Sequence, residues 1–118
     1  MIQGYNDITL DNWVLISHNN DSCDISDKDL FRLESRYVGF TFKFLDYSGW
    51  TYTDNYVRYN LHLLRIRHFN KRLEKRCHIF KAEDEWYYVK VGEGKRIYYY
   101  KCDQIEGLIE CLDSFFGL

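Results

Sequence analysis

Several features that would narrow the function are missing from this sequence of 118 residues. It contains no proline and a single alanine, Ala82, and it is rich in Asn, Ile, Lys, Tyr and Asp. Such usage is typical of an A+T-rich gene and favours a virus, a phage, an organelle or a low-GC bacterium as the source. The N-terminus has no signal-peptide pattern, and no apolar run is long enough to cross a bilayer. We therefore expect an intracellular, cytoplasmic protein that does not enter membranes.

Motifs for nucleotides, metals and catalysis are also missing. The Gly-Glu-Gly at 92–94 lacks the third glycine and the following helix of a dinucleotide loop, and there is no phosphate-binding GxxxxGK motif. The aspartates of 21–29 are not spaced as in a calcium loop, and no CxxC pair marks structural zinc. The sequence predicts no metal, no cofactor and no catalytic residue, so we expect a protein that is not an enzyme.

The composition suits a single domain covering 1–118. Hydrophobic residues make up 46% of the chain and aromatic residues 19%, enough for a real core in a chain too short for two comfortable domains. Three of the four cysteines, which are Cys23, Cys77, Cys102 and Cys111, occupy apolar positions of predicted elements. We expect reduced, buried thiols and a reducing compartment.

The longest patterned stretch runs over 56–81. At 100° per residue its apolar residues share one arc and its basic residues cover most of the rest, which predicts a long amphipathic helix with a basic outer face. The apolar arc consists of Tyr59, Leu63, Ile66, Phe69, Leu73, Cys77 and Phe80. Val57, Leu61 and Leu64 lie off this arc and need separate cover. A strand is the alternative, since 58–63 alternates between polar and apolar residues.

Turn residues, caps and periodicity predict further elements before this stretch: a strand over 8–16, a helix over 27–36, and a hairpin with arms at 38–44 and 50–53. Ser26, with an acidic residue three positions later, supports the helix as an N-cap. The cluster Asp-Tyr-Ser-Gly at 46–49 supplies the turn of the hairpin.

Two elements are predicted after it. Aromatic runs at 85–91 and 96–102, joined by a glycine-containing turn, indicate a second hairpin. Asp103 and Glu106 resemble a capping box for a shorter C-terminal helix that ends at Gly117. The sequence therefore predicts a small α+β domain with two antiparallel hairpin regions, one long amphipathic basic helix and a shorter C-terminal helix.

The net charge of −2 hides a segregated pattern. Residues 56–81 contain eight Lys and Arg against one Glu, whereas the segments on either side carry an excess of acid. Neutralisation of the basic segment by the acidic ones within the fold is the simplest interpretation. The functional interpretation is that one of these charged surfaces, acidic or basic, binds a partner.

The preferred hypothesis is a protein that binds a protein partner, as an inhibitor or adaptor of nucleic-acid machinery. Carboxylates can mimic phosphates when they have the right sign and spacing of charge. The residues assigned to this acidic surface are Asp21, Asp24, Asp27, Asp29, Glu106, Glu110 and Asp113.

The alternative hypothesis is direct nucleic-acid binding through the basic segment. Its contacts would be Arg58, Arg65, Lys71, Arg72, Lys75 and Arg76, with an aromatic face for unpaired bases formed by Trp86, Tyr88 and Tyr98. A third hypothesis is a subunit of a larger complex or a homodimer, in which another chain covers the apolar residues that lie off the main arc.

Overall fold

The computed structural model describes residues 2–3, 22–52, 56–70 and 72–118, with the side chains of 22–47, 61–70 and 72–118. Its strands are β1 (Ile2–Gln3), β2 (Ser22–Cys23), β3 (Thr41–Tyr52), β4 (Tyr56–Asn70), β5 (Leu73–Ala82), β6 (Tyr87–Glu93) and β7 (Arg96–Cys102), and its helices are α1 (Asp27–Arg36) and α2 (Ile105–Phe116). The strands form one antiparallel sheet in the order β1-β7-β6-β5-β4-β3, and β2 pairs with β5. The predicted α+β class is confirmed. The predicted strand over 8–16 lies outside the described residues.

The prediction of a long helix over 56–81 is wrong. This segment forms β4 and β5, which pair with each other from Leu64 opposite Ile79 to Asn70 opposite Leu73. Leu61 and Leu63 are buried on one face of the sheet, and Leu64 and Ile66 are buried on the other. Because both faces are buried at this point, apolar residues occur without strict alternation and imitate the spacing of a helix.

The predicted turn at 46–49 is also wrong. β3 passes through it without a break, and its pairing with β4 continues to Tyr52 opposite Tyr56. Asp46 lies opposite His62, and its carboxylate Oδ1 is 2.5 Å from Nδ1 of that ring. The cluster is thus paired with β4 along its length and does not reverse the chain.

Both helices cover one face of the sheet. The predicted helix over 27–36 is confirmed as α1, and Ser26 caps it by accepting a hydrogen bond from the Asp29 amide at 3.2 Å. The core between the helices and the sheet is built from Leu33 and Tyr37 of α1, Leu108, Cys111, Leu112 and Phe116 of α2, and Leu64, Ile66, Cys77, Ile79, Val89, Val91 and Cys102 of the sheet. This layer accounts for most of the fully buried side chains.

The C-terminal elements agree with the sequence in position but differ in one cap. The hairpin of β6 and β7 is confirmed, with Glu93 opposite Arg96 at its turn. Gln104, not Asp103, is the N-cap of α2 and makes no side-chain cap bond, so the predicted capping box is wrong. Gly117 ends the helix in the left-handed region at φ 79°, where glycine is unstrained. Neither helix in the described ranges is long and apolar enough to span a membrane.

The other face of the sheet is divided into an apolar half and a charged half. The apolar half is a second buried cluster that contains Leu61, Leu63, Phe80, Ala82, Tyr88 and Tyr99. The charged half lies toward the end of the sheet where β4 turns into β5 and β6 turns into β7. This half faces away from both helices.

Candidate anion-binding face

A row of basic residues crosses four neighbouring strands on the charged half. Lys43 of β3 lies opposite Arg65 of β4, Arg65 lies opposite His78 of β5, and His78 lies opposite Lys90 of β6. Residues directly opposite each other in an antiparallel sheet project to the same face. With about 4.8 Å between strands, the row spans about 14 Å.

A second row lies one pleat further along the same strands. Arg67 of β4 is opposite Arg76 of β5, and Arg76 is opposite Gly92 of β6. A Cβ atom on Gly92 would lie 3.4 Å from Cζ of Arg76, so the guanidinium rests on the backbone of β6 where a side chain is missing. We call the six residues Lys43, Arg65, Arg67, Arg76, His78 and Lys90 the basic face.

Few acidic groups offset this charge. Among the described residues the basic face has one ion pair, in which Nε of Arg67 donates to Oε1 of Glu74 at 2.6 Å. Lys43 opposite Arg65 and Arg67 opposite Arg76 are like-charged cross-strand pairs, an arrangement that lowers the stability of a sheet. Within the described ranges, this concentration of positive charge is therefore only partly neutralised.

One donor on the basic face is buried without an acceptor. The Nε atom of Arg65 is inaccessible and makes no hydrogen bond within the described residues. A buried donor left unsatisfied costs about 1–3 kcal/mol. The unsatisfied donor of Arg65 is therefore a second cost to stability on this face, in addition to the like-charged pairs.

His78 lies at the centre of the basic face, and its pKa reflects the positive charge around it. Burial, and then the charges of Lys90, Arg65 and Arg76, lower the pKa of His78 to about 4. The ring is therefore neutral at pH 7, because burial disfavours its charged form and protonation would add a further positive charge to three existing ones. A ligand that brings negative charge would relieve this effect.

Two of the six residues predicted for nucleic-acid contact, Arg65 and Arg76, belong to the basic face. Sequence reasoning missed Lys43, Arg67 and Lys90 as its other cations. The signal that could have found Arg67 was the strand alternative, because a period of two places it on the same face as Arg65. Lys43 and Lys90 come from other strands, and only the pairing of those strands reveals that they are neighbours.

The remaining predicted cations are not brought together. Lys75 projects to the helix face, where its Nζ donates to the Phe115 carbonyl at 2.9 Å. Arg72 lies exposed in the turn between β4 and β5. The side chain of Arg58 and the whole of Lys71 lie outside the described residues.

The predicted aromatic face is divided between the two faces of the sheet. Tyr88 is buried, stacks on Phe80 with 5.2 Å between ring centroids, and donates its hydroxyl to Asp84. Trp86 is half-buried, and the ammonium of Lys101 lies 4.8 Å from its ring centroid. Tyr98 is opposite Val91 and therefore projects toward the helix side. These three residues do not form one stacking surface.

The acidic residues of α2 mostly hold the two helices together. Asp113 accepts from Nε of Arg36 at 2.8 Å and from the Tyr37 hydroxyl at 2.8 Å. Glu106 accepts from Arg32 at 3.0 Å. These arginines hold the pKa of each carboxylate below its usual value. Glu110 is exposed.

The acidic residues near α1 are dispersed. Asp29 accepts a hydrogen bond from the Tyr87 hydroxyl, and Oδ1 of Asp24 is 3.5 Å from Nε2 of His62. Asp27 is exposed in the first turn of α1. Asp21 lies outside the described residues. The two acidic groups predicted from the sequence are thus partly occupied by contacts within the protein.

The cysteines, the possible metal ligands and the similarity to known proteins also bear on function. Cys77, Cys102 and Cys111 are buried as predicted, Cys23 is exposed, and all four thiols are free. Within the described ranges, no three His, Cys, Asp or Glu side chains converge as metal ligands would. Comparison with known proteins gives no match to a family model, to a curated protein or to a solved structure.

Proposed function

We propose that this protein is a non-enzymatic interaction protein whose basic face binds nucleic acid. The observation that carries the proposal is the row from Lys43 to Lys90, in which cations of three strands surround the neutral ring of His78. Clustered Lys and Arg side chains on one face are the electrostatic footprint of phosphate binding. Proteins retain mutually repelling charges at a functional site because the ligand compensates for them.

The acidic residues of α2 lie away from the basic face. Glu106, Glu110 and Asp113 lie on the helix layer, on the side of the sheet opposite to the basic face. Because Glu106 and Asp113 are paired with Arg32 and Arg36, the helix layer repels a polyanion only weakly, and the attraction comes from the basic face. The concentration of cations on one face explains how a chain with a net charge of −2 can bind a polyanion.

Docking on a protein partner through an acidic surface stays a prediction. Two of the carboxylates assigned to that surface, Glu106 and Asp113, already bind Arg32 and Arg36 and are less available to a partner. An acidic protein that docks on the basic face would use the same cations as a nucleic acid. The test must therefore separate phosphates from carboxylates.

The test is a binding titration with a labelled oligonucleotide and with polyglutamate of similar length, each over a series of salt concentrations. We expect the oligonucleotide to bind more tightly than polyglutamate, and its affinity to fall steeply with salt. Lys43→Glu should weaken oligonucleotide binding about tenfold, which corresponds to about 1.4 kcal/mol. It should also reduce the salt slope by about 0.7, the value for one phosphate contact with a single strand.

The matched control is Lys28→Glu, which makes the same change of charge at an exposed lysine of α1. This variant should leave the affinity nearly unchanged because it lies in the helix layer. Equal losses in both variants would show an effect of net charge alone and would refute the basic face as the site. Equal affinity for polyglutamate would refute a nucleic-acid ligand in favour of an acidic protein.

We further propose that the protein acts in a reducing compartment such as the cytoplasm. Cys102 and Cys111 both belong to the core between the helices and the sheet, and both are free thiols. Buried free thiols are typical of proteins that fold where disulfides do not form. Mass spectrometry of the protein alkylated on isolation should find both thiols unlinked, and a linked pair would contradict this location.

A further inference from the structure

Phe69 is an exposed aromatic residue at the edge of the basic face. It follows Arg67 by two residues on β4 and therefore projects to the same face of the sheet. Its partner across the strands is Glu74, so it gains no apolar neighbour from this pairing. The side chain is 59% exposed. Burying a phenylalanine stabilises a protein by about 1.5–3 kcal/mol, and the fold forgoes part of that gain here.

The ring of Phe69 lies beside a guanidinium that is held in place. Cζ of Arg67 is 5.0 Å from the ring centroid, within the range of a cation–π contact. Glu74 fixes the same guanidinium by accepting from Nε at 2.6 Å. Arg67 and Glu74 are both about two-thirds buried, with side-chain exposures of 29% and 30%. The ring thus stands next to an ordered cation and keeps more than half of its surface open.

We infer that the basic face takes single-stranded nucleic acid, with a base stacked on the ring of Phe69. This inference rests on the proposed function and adds the form of the ligand. An unpaired base offers an apolar π-face that stacks on aromatic rings and on arginine planes. The neighbouring cations, Arg67 and Arg65, then lie beside the sugar-phosphate chain that carries the base.

A duplex cannot use this position in the same way. Its bases are stacked and paired inside the helix, so a side chain on a flat sheet meets phosphates and sugars only. The contribution of Phe69 should therefore appear with a single strand and be missing with a duplex. This difference separates stacking from simple attraction between charges.

The experiment compares three probes by fluorescence polarisation: a labelled single strand of about 12 nucleotides, a duplex of the same length, and inorganic polyphosphate as a competitor without bases. We expect the wild-type protein to prefer the single strand. Phe69→Leu should lower its affinity for the single strand at least about fivefold and leave the other two probes unchanged. Phe69→Trp should restore the affinity, and its added fluorescence should be quenched when the strand binds.

Phe31→Leu is the matched control, because Phe31 is 72% exposed on α1 and belongs to the opposite layer. It should change no affinity. The inference is overturned if Phe69→Leu leaves single-strand affinity unchanged, or if duplex affinity falls equally. In that case a loss in Lys43→Glu on all three probes would still support the proposed function. If none of the probes binds, the proposed function and this inference fail together.

Discussion

Lys43 lies directly opposite Arg65 in the antiparallel pairing of β3 and β4, so two cations face each other on the same side of the sheet. Such a pair is destabilising, whereas a pair of opposite charges stabilises a sheet by about 0.2–1 kcal/mol. Lys43→Glu should therefore raise the free energy of unfolding by several tenths of a kcal/mol. Urea denaturation measures this change, and Lys43→Gln should give an intermediate value.

A double-mutant cycle assigns that gain to the pair. In the background Arg65→Gln, the substitution Lys43→Glu should lose most of its stabilising effect. The same substitution is expected to weaken ligand binding, so stability and affinity move in opposite directions. A variant that loses stability along with binding would show that Lys43 supports the fold and is not held there for a ligand.

Gly92 controls the position of Arg76. Its backbone is not left-handed, so residues with a side chain fit the strand, and Ala would meet the guanidinium at an ordinary contact distance. The branched side chain of Gly92→Val should displace the guanidinium from the sheet. We expect this variant to fold and to show a salt slope of binding reduced by about one contact. Gly92→Ala should keep the wild-type slope, and a loss of binding in the Ala variant would contradict this explanation.

His78 should make stability depend on pH. Burial and the charges of Lys90, Arg65 and Arg76 lower its pKa to about 4 in the folded protein, from an ordinary value of 6.5. Between these values the unfolded chain binds a proton that the folded protein rejects. The free energy of unfolding is therefore highest above pH 6.5 and decreases as the pH falls toward 4. Because the ring is only half-buried, solvent screening reduces the size of this effect.

Denaturation at pH 7 and pH 5 measures this dependence, with His78→Gln as the control. The wild-type protein should lose more stability between the two pH values than the variant does. A bound oligonucleotide should raise the pKa of His78, which NMR titration of the ring protons would detect. Equal pH dependence in both proteins would refute this role.

Tyr37 joins the two helices from inside the core. It is 1% exposed, and its hydroxyl donates to Oδ1 of Asp113 at 2.8 Å. Tyr37→Phe should lower the free energy of unfolding by about 1–2 kcal/mol, because the lost bond goes to a charged acceptor. Tyr47→Phe, at an exposed hydroxyl, should change it by less than about 0.5 kcal/mol. Neither variant should alter binding, and a loss of affinity in Tyr37→Phe would link the helix layer to the ligand site.

The sequence was sufficient where local signals agreed with each other. α1 begins after Ser26 because the Ser26 hydroxyl accepts a hydrogen bond from the amide of Asp29, three residues later. The hairpin of β6 and β7 was predicted from its glycine-containing turn and its aromatic arms. These signals depend on neighbours in the chain and can be read without knowing the rest of the fold.

The prediction of a helix over 56–81 failed for a physical reason. Leu63 and Leu64 are adjacent yet buried on opposite faces, so the sheet reproduces a spacing that a helix also satisfies. The turn between β4 and β5 contains neither glycine nor proline and gives no mark in the sequence. The basic face was therefore only partly visible, since Lys43 and Lys90 join Arg65 through pairings between strands.

The central strands β4 and β5 contribute to both faces of the sheet, because alternate residues project to opposite sides. Ile66 and Cys77 fill the core under the helices, while their neighbours Arg65 and Arg76 carry charge on the other side. Substitutions on the charged side leave the residues that determine the fold untouched. The charge of this surface can therefore be changed, or even reversed in sign, while the architecture stays the same.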